Sequence, residues 1–99
     1  MFRFQRSGQV KNGKNLEAIG WAKEIAEYLN AKYSTSFQVY TEYFGDVNTI
    51  YWQSDFKDLA TFESLSSQLL SDQGYWANVI KGMEWIIEGS LQDKLVHSV

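Results

Sequence analysis

The chain has 99 residues, an aromatic content of 16%, a formal net charge of −3 and no cysteine. This length is enough for one domain with a modest core, and the lack of cysteine excludes disulfides, thiolate chemistry and cysteine-based metal sites. The small negative charge, without a basic cluster, argues against nucleic-acid or membrane-surface partners. The amino terminus is too polar for a signal peptide and no apolar run approaches membrane length, so we expect a cytoplasmic protein.

The first third of the chain predicts a strand followed by a helix. Residues 2–10 alternate between apolar and polar side chains, which favours a strand with one apolar face. Residues 11–14 form a turn cluster. Across residues 16–33 the apolar side chains recur at helical spacing, with alanines in the middle of the stripe. These small side chains would let the helix lie close to the surface that it covers.

The stretch from Ser36 to Asp55 predicts a β-hairpin. Two runs rich in aromatic and β-branched residues flank Gly45-Asp46, a dipeptide suited to a two-residue turn. The alternation of side chains along a strand then sorts opposite residues onto two faces. One face pairs Tyr43 with Asn48, Thr41 with Ile50, Val39 with Trp52 and Phe37 with Ser54. The other face pairs Phe44 with Val47, Glu42 with Thr49, Tyr40 with Tyr51 and Gln38 with Gln53.

The last part of the chain predicts a broken helix and a final strand. A second helix should begin at Ser54 or Asp55, and the polar segment 71–74 interrupts it, with Asp72 as the N-cap of a third helix. Trp85 lies opposite the apolar stripe of that third helix and is expected to be exposed. Residues 91–99 predict a short final strand. The apolar stripe of the third helix consists of Trp76, Val79, Ile80, Met83, Ile86 and Ile87.

The order of these elements predicts an α+β fold that spans residues 1–99 as a single domain. Two right-handed crossovers give a ferredoxin-like βαββαβ arrangement with a split second helix and a four-stranded antiparallel sheet. All helices should lie on the face that contains Val39, Ile50 and Trp52. The other face keeps a patch of Tyr40, Phe44, Val47 and Tyr51.

Such an apolar and aromatic patch is unfavourable in water, and its simplest cover is a second copy of the same face. The sequence therefore predicts a homodimer through the sheet. The alternative is a monomer whose sheet has an amphipathic outer face.

The pattern also resembles the dimeric α+β barrel superfamily. The residues that carry the resemblance are the hairpin GDVNTIYW, the helix DLATFESLSSQLLSD, the segment QGYWANVIKGMEWIIEGS and the short final strand. The Asp that precedes the aromatic-rich segment in the broken helix is similar to NIPSNAP-like and antibiotic-biosynthesis-monooxygenase-like members. The resemblance implies two sheets packed face to face, with a pocket inside the barrel or beneath the helices. Relatives include cofactor-free oxygenases, small isomerases and haem-degrading enzymes, so the fold leaves the function open.

The sequence offers no pattern for metal or cofactor chemistry. His97 is the single histidine and lies near the end of the chain, without a second ligand at metal-binding spacing. Haem-degrading relatives place a histidine on a helix, and no predicted helix here contains one. There is no G-x-S-x-G nucleophile motif and no phosphate-binding glycine loop. We therefore predict no metal and no cofactor, and we identify no catalytic residue.

One candidate ligand site is the outer sheet face. Tyr40, Glu42 and Tyr51 could orient an aromatic or carbonyl-bearing small molecule there, and a desolvated Glu42 could act as a general base. In the alternative interpretation these groups hydrogen-bond across the dimer interface, with Glu42 paired to Arg3 or a lysine, because buried polar groups need partners with or without a ligand.

A second candidate site lies between the sheet and the helices. Its predicted lining is Trp21, Trp52, Phe62, Trp76 and Met83. A dry aromatic cavity of this kind could hold a flat substrate and exclude water. Aromatic and methionine stripes at helical spacing are also typical of an ordinary core, so both interpretations stay open.

Two classes of function follow from these patterns. The favoured one is a homodimeric module that binds a small molecule or has a structural role, because no group of residues demands chemistry. The alternative is a cofactor-independent enzyme, monooxygenase-like or isomerase-like, that acts on an aromatic or carbonyl small molecule. An enzyme should have a solvent-connected cavity with a polar group of shifted pKa, whereas a structural module should have a filled core.

Overall fold

The computed structural model describes residues 1–99 and has the predicted order of elements. The strands are β1 (Phe2–Gln9), β2 (Gln38–Thr41), β3 (Thr49–Phe56) and β4 (Gln92–His97). The helices are α1 (Asn15–Tyr33), α2 (Leu59–Leu70) and α3 (Gln73–Gly82), and a single 3-10 turn follows at Met83–Trp85. All strand pairs are antiparallel, in the order β2-β3-β1-β4. The prediction of a ferredoxin-like α+β fold with a split second helix is confirmed.

The register between β2 and β3 is the one that the hairpin pattern predicted. Val39 lies opposite Trp52, and Tyr40 lies opposite Tyr51. Along β3, Ile50 and Trp52 are buried beneath the helices, while Tyr51 between them is half-buried on the outer face. One face of the sheet therefore forms the core with α1, α2 and α3, and the other face carries no helix.

The connection between β2 and β3 is wider than the predicted two-residue turn. Strand pairing ends at Thr41, and residues 42–48 form a loop. Phe44 and Val47 consequently do not pair on the sheet, and both are exposed loop residues. The predicted outer patch thus keeps its two tyrosines but loses these two members.

Local hydrogen bonds explain why the ladder stops there. The Glu42 carboxylate accepts a bond from the main-chain N–H of Asp46 (3.0 Å), and the Asp46 carboxylate accepts one from the N–H of Asn48 (2.9 Å). Side-chain bonds of this type compete with strand pairing for the backbone. Gly45 has φ +126°, a conformation that L side chains rarely adopt.

The start of α2 differs from the prediction, because β3 continues through the residues that were expected to cap the helix. Asp55 is part of β3 and forms an ion pair with Arg3 on the neighbouring strand (2.8 Å). The N-cap is Asp58, whose carboxylate accepts a bond from the N–H of Thr61 (2.8 Å). The predicted start at Ser54 or Asp55 was therefore wrong by a full turn of helix.

The buried face of α3 is rotated by about one residue from the predicted stripe. Asp72 caps the helix as expected, and its carboxylate accepts a bond from the N–H of Tyr75. Tyr75 and Gly82 are the buried residues, whereas Ile80 is 70% exposed. The hydrophobic stripe alone did not identify this face, because α3 contacts α1 through Gly82, and a glycine does not appear in a pattern of large apolar side chains.

The end of α3 explains a second difference. The helix stops at Gly82 and the chain turns sharply, so that Ile86 forms a β-bridge with Val10. Trp85 consequently turns inward and packs edge to face on Trp21, with ring centroids 6.5 Å apart. The expectation that Trp85 is exposed on a continuous helix was wrong.

None of the helices is both long enough and apolar enough to cross a membrane.

Candidate functional site

A cavity of about 290 Å³ lies between the sheet and the helices. Fifteen of its eighteen lining residues are hydrophobic, and every residue of β4, which forms one edge, is exposed. The cavity is therefore mostly apolar and is open to solvent. Its lining includes all five residues of the predicted inner site, Trp21, Trp52, Phe62, Trp76 and Met83.

Three tryptophan rings in the cavity wall are held in fixed positions. The indole N–H of each of Trp21, Trp52 and Trp76 donates a hydrogen bond to a main-chain oxygen. The acceptors are the carbonyls of Asn78 (2.7 Å), Ala22 (3.1 Å) and Leu69 (2.9 Å), in that order. Because their polar atoms are already bonded, the indoles present only ring surface to the cavity. A ligand would meet a rigid aromatic wall that needs little reordering on binding.

The position of Trp21 depends on a close approach between α1 and α3. Its indole lies against Gly82, where an added Cβ atom would overlap the ring. On the other side, the Trp21 and Trp52 rings pack edge to face with centroids 5.5 Å apart. The small residue on α3 therefore creates the space that Trp21 occupies.

Apart from Ser66, the polar groups of the wall form one cluster of Arg6, Asp93 and the Tyr75 hydroxyl. The Arg6 guanidinium donates two bonds to the Asp93 carboxylate (2.6 and 2.8 Å) and a longer one from Nη1 to the Tyr75 hydroxyl (3.4 Å). The hydrogen bonds that Arg6 donates to Asp93 hold the pKa of Arg6 above its ordinary value. The ion pair joins β1 to β4, and the tyrosine connects it to α3.

The sequence patterns did not identify this cluster, although one signal was present. Arg6 shares the parity of Phe2 and Phe4 on β1, so it is a cation on the apolar face of a strand. A charged residue in such a position needs a partner. Tyr75 was missed because the predicted stripe began one residue later, at Trp76.

The other three predicted ligand-binding residues lie away from the cavity. Tyr40 and Tyr51 are paired on the outer face of the sheet, and Glu42 follows β2 on that side. The Tyr51 hydroxyl donates a bond to Glu42 (2.7 Å), which raises the pKa of Tyr51 above its ordinary value. A separate hollow of about 310 Å³, lined mostly by polar groups, contains Glu42 and Tyr51. The structure therefore divides the predicted residues between two faces of one sheet.

Within one chain, Glu42 is bonded neither to Arg3 nor to a lysine. Its carboxylate accepts bonds from the Tyr51 hydroxyl and from the N–H of Asp46, while Arg3 pairs with Asp55. Both Glu42 oxygens are thus engaged in holding the loop after β2.

The acidic side chains and the single histidine do not gather into a metal-binding group. No three of them lie close enough together to hold an ion. The ring of His97, on β4, instead packs against Phe2 with centroids 5.6 Å apart.

Comparison with known proteins places the chain in a family. A model described as a family of unknown function (DUF6039) matches residues 2–94. The chain belongs to the DUF6039 family. No curated protein sequence matches it.

Several solved structures have the same fold as this DUF6039 chain. A NIPSNAP domain protein from Burkholderia xenovorans is 13% identical with a TM-score of 0.82, over 100% of this chain and 95% of that one. A NIPSNAP family protein from Agrobacterium tumefaciens is 14% identical with a TM-score of 0.80, over 99% and 92%. An antibiotic biosynthesis monooxygenase is 10% identical with a TM-score of 0.73, over 100% and 99%. The resemblance to NIPSNAP-like and monooxygenase-like folds is confirmed, and at these identities the likeness concerns the fold.

Proposed function

We propose that the chain is a small-molecule-binding module whose ligand is a flat, mainly apolar molecule held between the sheet and the helices. The observation that carries this proposal is the open aromatic cavity of about 290 Å³. Small-molecule sites are concave and mostly apolar, and their volumes start at about 300 Å³. The fixed rings of Trp21, Trp52 and Trp76 offer stacking surface to an aromatic ligand.

The cavity wall favours binding over the two alternatives. A purely structural module would have a filled interior, and this interior is open. For chemistry, the wall offers Arg6, Asp93 and Tyr75 as titratable groups, and both Asp93 oxygens are occupied by Arg6. A guanidinium that stays protonated and a carboxylate paired to it are poorly suited to general acid–base work. The open cavity and the raised pKa of Arg6 are features expected of an enzyme, but a raised pKa only keeps the guanidinium charged and so does not favour the monooxygenase-like or isomerase-like alternative.

Titration with fluorene, a flat three-ring hydrocarbon, tests the binding proposal. We expect it to quench tryptophan fluorescence with saturation, because three of the four indoles line the cavity. In a proton–nitrogen NMR spectrum, the indole signals of Trp21, Trp52 and Trp76 should shift on addition of the ligand.

A pair of neighbouring substitutions supplies the control. Ser66 is exposed and lines the cavity, whereas Ser67 is exposed and does not. Ser66→Phe should weaken fluorene binding roughly tenfold or more, because the new ring would occupy space in the cavity, and Ser67→Phe should leave it unchanged. Absence of saturable quenching in the wild type, or equal effects of both changes, would contradict the proposal.

We further propose a homodimer that forms through the outer sheet face. The exposed surface of the chain is 6501 Å², whereas a compact monomer of 11.5 kDa exposes about 5,800 Å². The exposed area in excess of that expected for a monomer includes the outer sheet face, on which Tyr40 is 43% exposed. In a two-fold symmetric dimer the same face of both copies is in contact, so a second copy would bury this excess area.

Sizing chromatography tests this dimer. Tyr40→Glu places a charge, and its two-fold copy, in the middle of the proposed interface, so this variant should elute as a monomer. Tyr43→Glu changes an exposed loop residue beside the sheet and should elute with the wild type. A wild-type monomer, or a Tyr40→Glu dimer, would refute the proposal.

The cytoplasmic location stays a prediction from the sequence, to be tested by cell fractionation.

A further inference from the structure

We infer that the cavity selects aromatic ligands that carry a carbonyl oxygen, and that the Tyr75 hydroxyl donates the hydrogen bond that recognises it. The inference rests on the proposed binding function and adds to it a class of ligand and a specificity-determining residue. Tyr75 carries the one buried hydroxyl group in the cavity wall, and the proton of this hydroxyl has no acceptor within the chain.

Tyr75 is only 6% exposed, yet its hydroxyl makes a single hydrogen bond within the chain. In that bond the hydroxyl oxygen is the acceptor and Arg6 Nη1 is the donor, at 3.4 Å. A phenol is both donor and acceptor, so its own proton is left over. Buried polar groups in folded proteins are normally paired, and an unused donor in a cavity wall is therefore a place for a ligand atom.

The neighbouring charges decide which ligand atom fits. Asp93 binds Arg6 through two bonds, so the pair has no net charge. A carboxylate or an ammonium ligand would therefore lose its hydration in the apolar cavity without meeting a net opposite charge. A neutral acceptor, such as a ketone or quinone oxygen, meets the Tyr75 proton without this cost.

Arg6 also makes Tyr75 a better donor. A hydroxyl that accepts a bond from a cation is polarised, and its O–H donates more strongly as a result. The ion pair with Asp93 keeps the guanidinium in place, and the ring of Tyr75 packs edge to face on Trp76 with centroids 5.3 Å apart. The donor is thus oriented before any ligand arrives.

Fluorene and 9-fluorenone test the inference, because they share one flat skeleton and differ by a carbonyl group. In the wild type, 9-fluorenone should bind about tenfold more tightly than fluorene, the gain expected for one hydrogen bond. Tyr75→Phe should reduce this ratio to about one, because the phenyl ring has no hydroxyl to donate. Tyr43→Phe removes a hydroxyl from the exposed loop and should keep the wild-type ratio.

Infrared spectroscopy gives a second readout that needs no variant. The carbonyl stretch of bound 9-fluorenone should lie at lower frequency than in a hydrocarbon solvent, because a donated hydrogen bond weakens the C=O bond. Equal affinities of the two compounds, an unshifted stretch, or a ratio that survives Tyr75→Phe would overturn this inference alone. If neither compound binds the wild type, both the inference and the proposed binding function are overturned.

Discussion

Gly82→Ala is expected to lower the free energy of unfolding by about 1–3 kcal/mol, because the new methyl group overlaps a ring that cannot move away. The added Cβ would meet the Trp21 indole. Trp21 packs on Trp52 and donates its N–H to the Asn78 carbonyl (2.7 Å), so its retreat breaks contacts on both sides. Chemical denaturation followed by circular dichroism measures the loss.

The same change should also weaken fluorene binding, since Trp21 forms part of the cavity wall. Gly20→Ala is the matched control, because Gly20 lies within α1 with no atom within 4 Å of an added Cβ. Replacing an unhindered helical glycine by alanine should raise stability by about 0.5–1 kcal/mol. If the Gly82→Ala variant has wild-type stability and its Trp21 indole N–H signal does not shift in the NMR spectrum, then α1 and α3 leave room for a methyl group at this position.

Asp72→Ala is expected to destabilise the protein more than removal of an ordinary helix cap. The Asp72 carboxylate is buried and accepts bonds from the N–H of Tyr75 (3.0 Å), the hydroxyl of Tyr28 (2.7 Å) and the hydroxyl of Tyr33. Lys32 Nζ lies 3.1 Å from it. One side chain therefore joins the start of α3 to the end of α1, and alanine would leave these partners unpaired.

The exposed cap of α2 provides the comparison. Asp58 accepts bonds only from the N–H and the hydroxyl of Thr61. Asp58→Ala should lower Tm by roughly 5 °C, the effect of losing an N-cap in a small domain, and Asp72→Ala should lower it at least twice as much. Equal shifts in thermal unfolding would show that Asp72 acts as a cap alone.

The same carboxylate should make stability depend on acid pH. Hydrogen bonds from Tyr33 and then Tyr28 hold the pKa of Asp72 well below its ordinary value. In the unfolded chain the Asp72 carboxyl has a pKa of about 3.9. Its contribution to folding stability is therefore complete above that pH and is lost as the pH falls toward the lower pKa of the folded state. The unfolded state takes up the proton first, which is why acid favours unfolding.

Asp72→Asn should therefore flatten the fall in Tm between pH 5 and pH 2, because an amide does not titrate. Some slope should persist, since the pKa values of Asp55 and Asp58 are also lowered in the folded state. A profile parallel to that of the wild type would contradict the role assigned to the cluster.

Local patterns in the sequence were sufficient for the order of elements and for much of the sheet. The register that places Val39 opposite Trp52 follows from strand alternation and from the position of the turn. The break between α2 and α3 follows from Asp72, which caps a helix through bonds to its own first turn. These features depend on residues close together in the chain, which is why a pattern predicts them.

Long-range contacts decided the rest. Arg6 and Asp93 are 87 residues apart, and only the pairing of β1 with β4 brings them to one wall. The buried face of α3 depends on the contact between Gly82 and Trp21 across two helices. The aromatic residues of the inner site were visible in the sequence, but whether they close into a solid core or leave a cavity depends on how far α2 and α3 lie from the sheet. That distance is set by packing across the whole domain, and no local pattern records it.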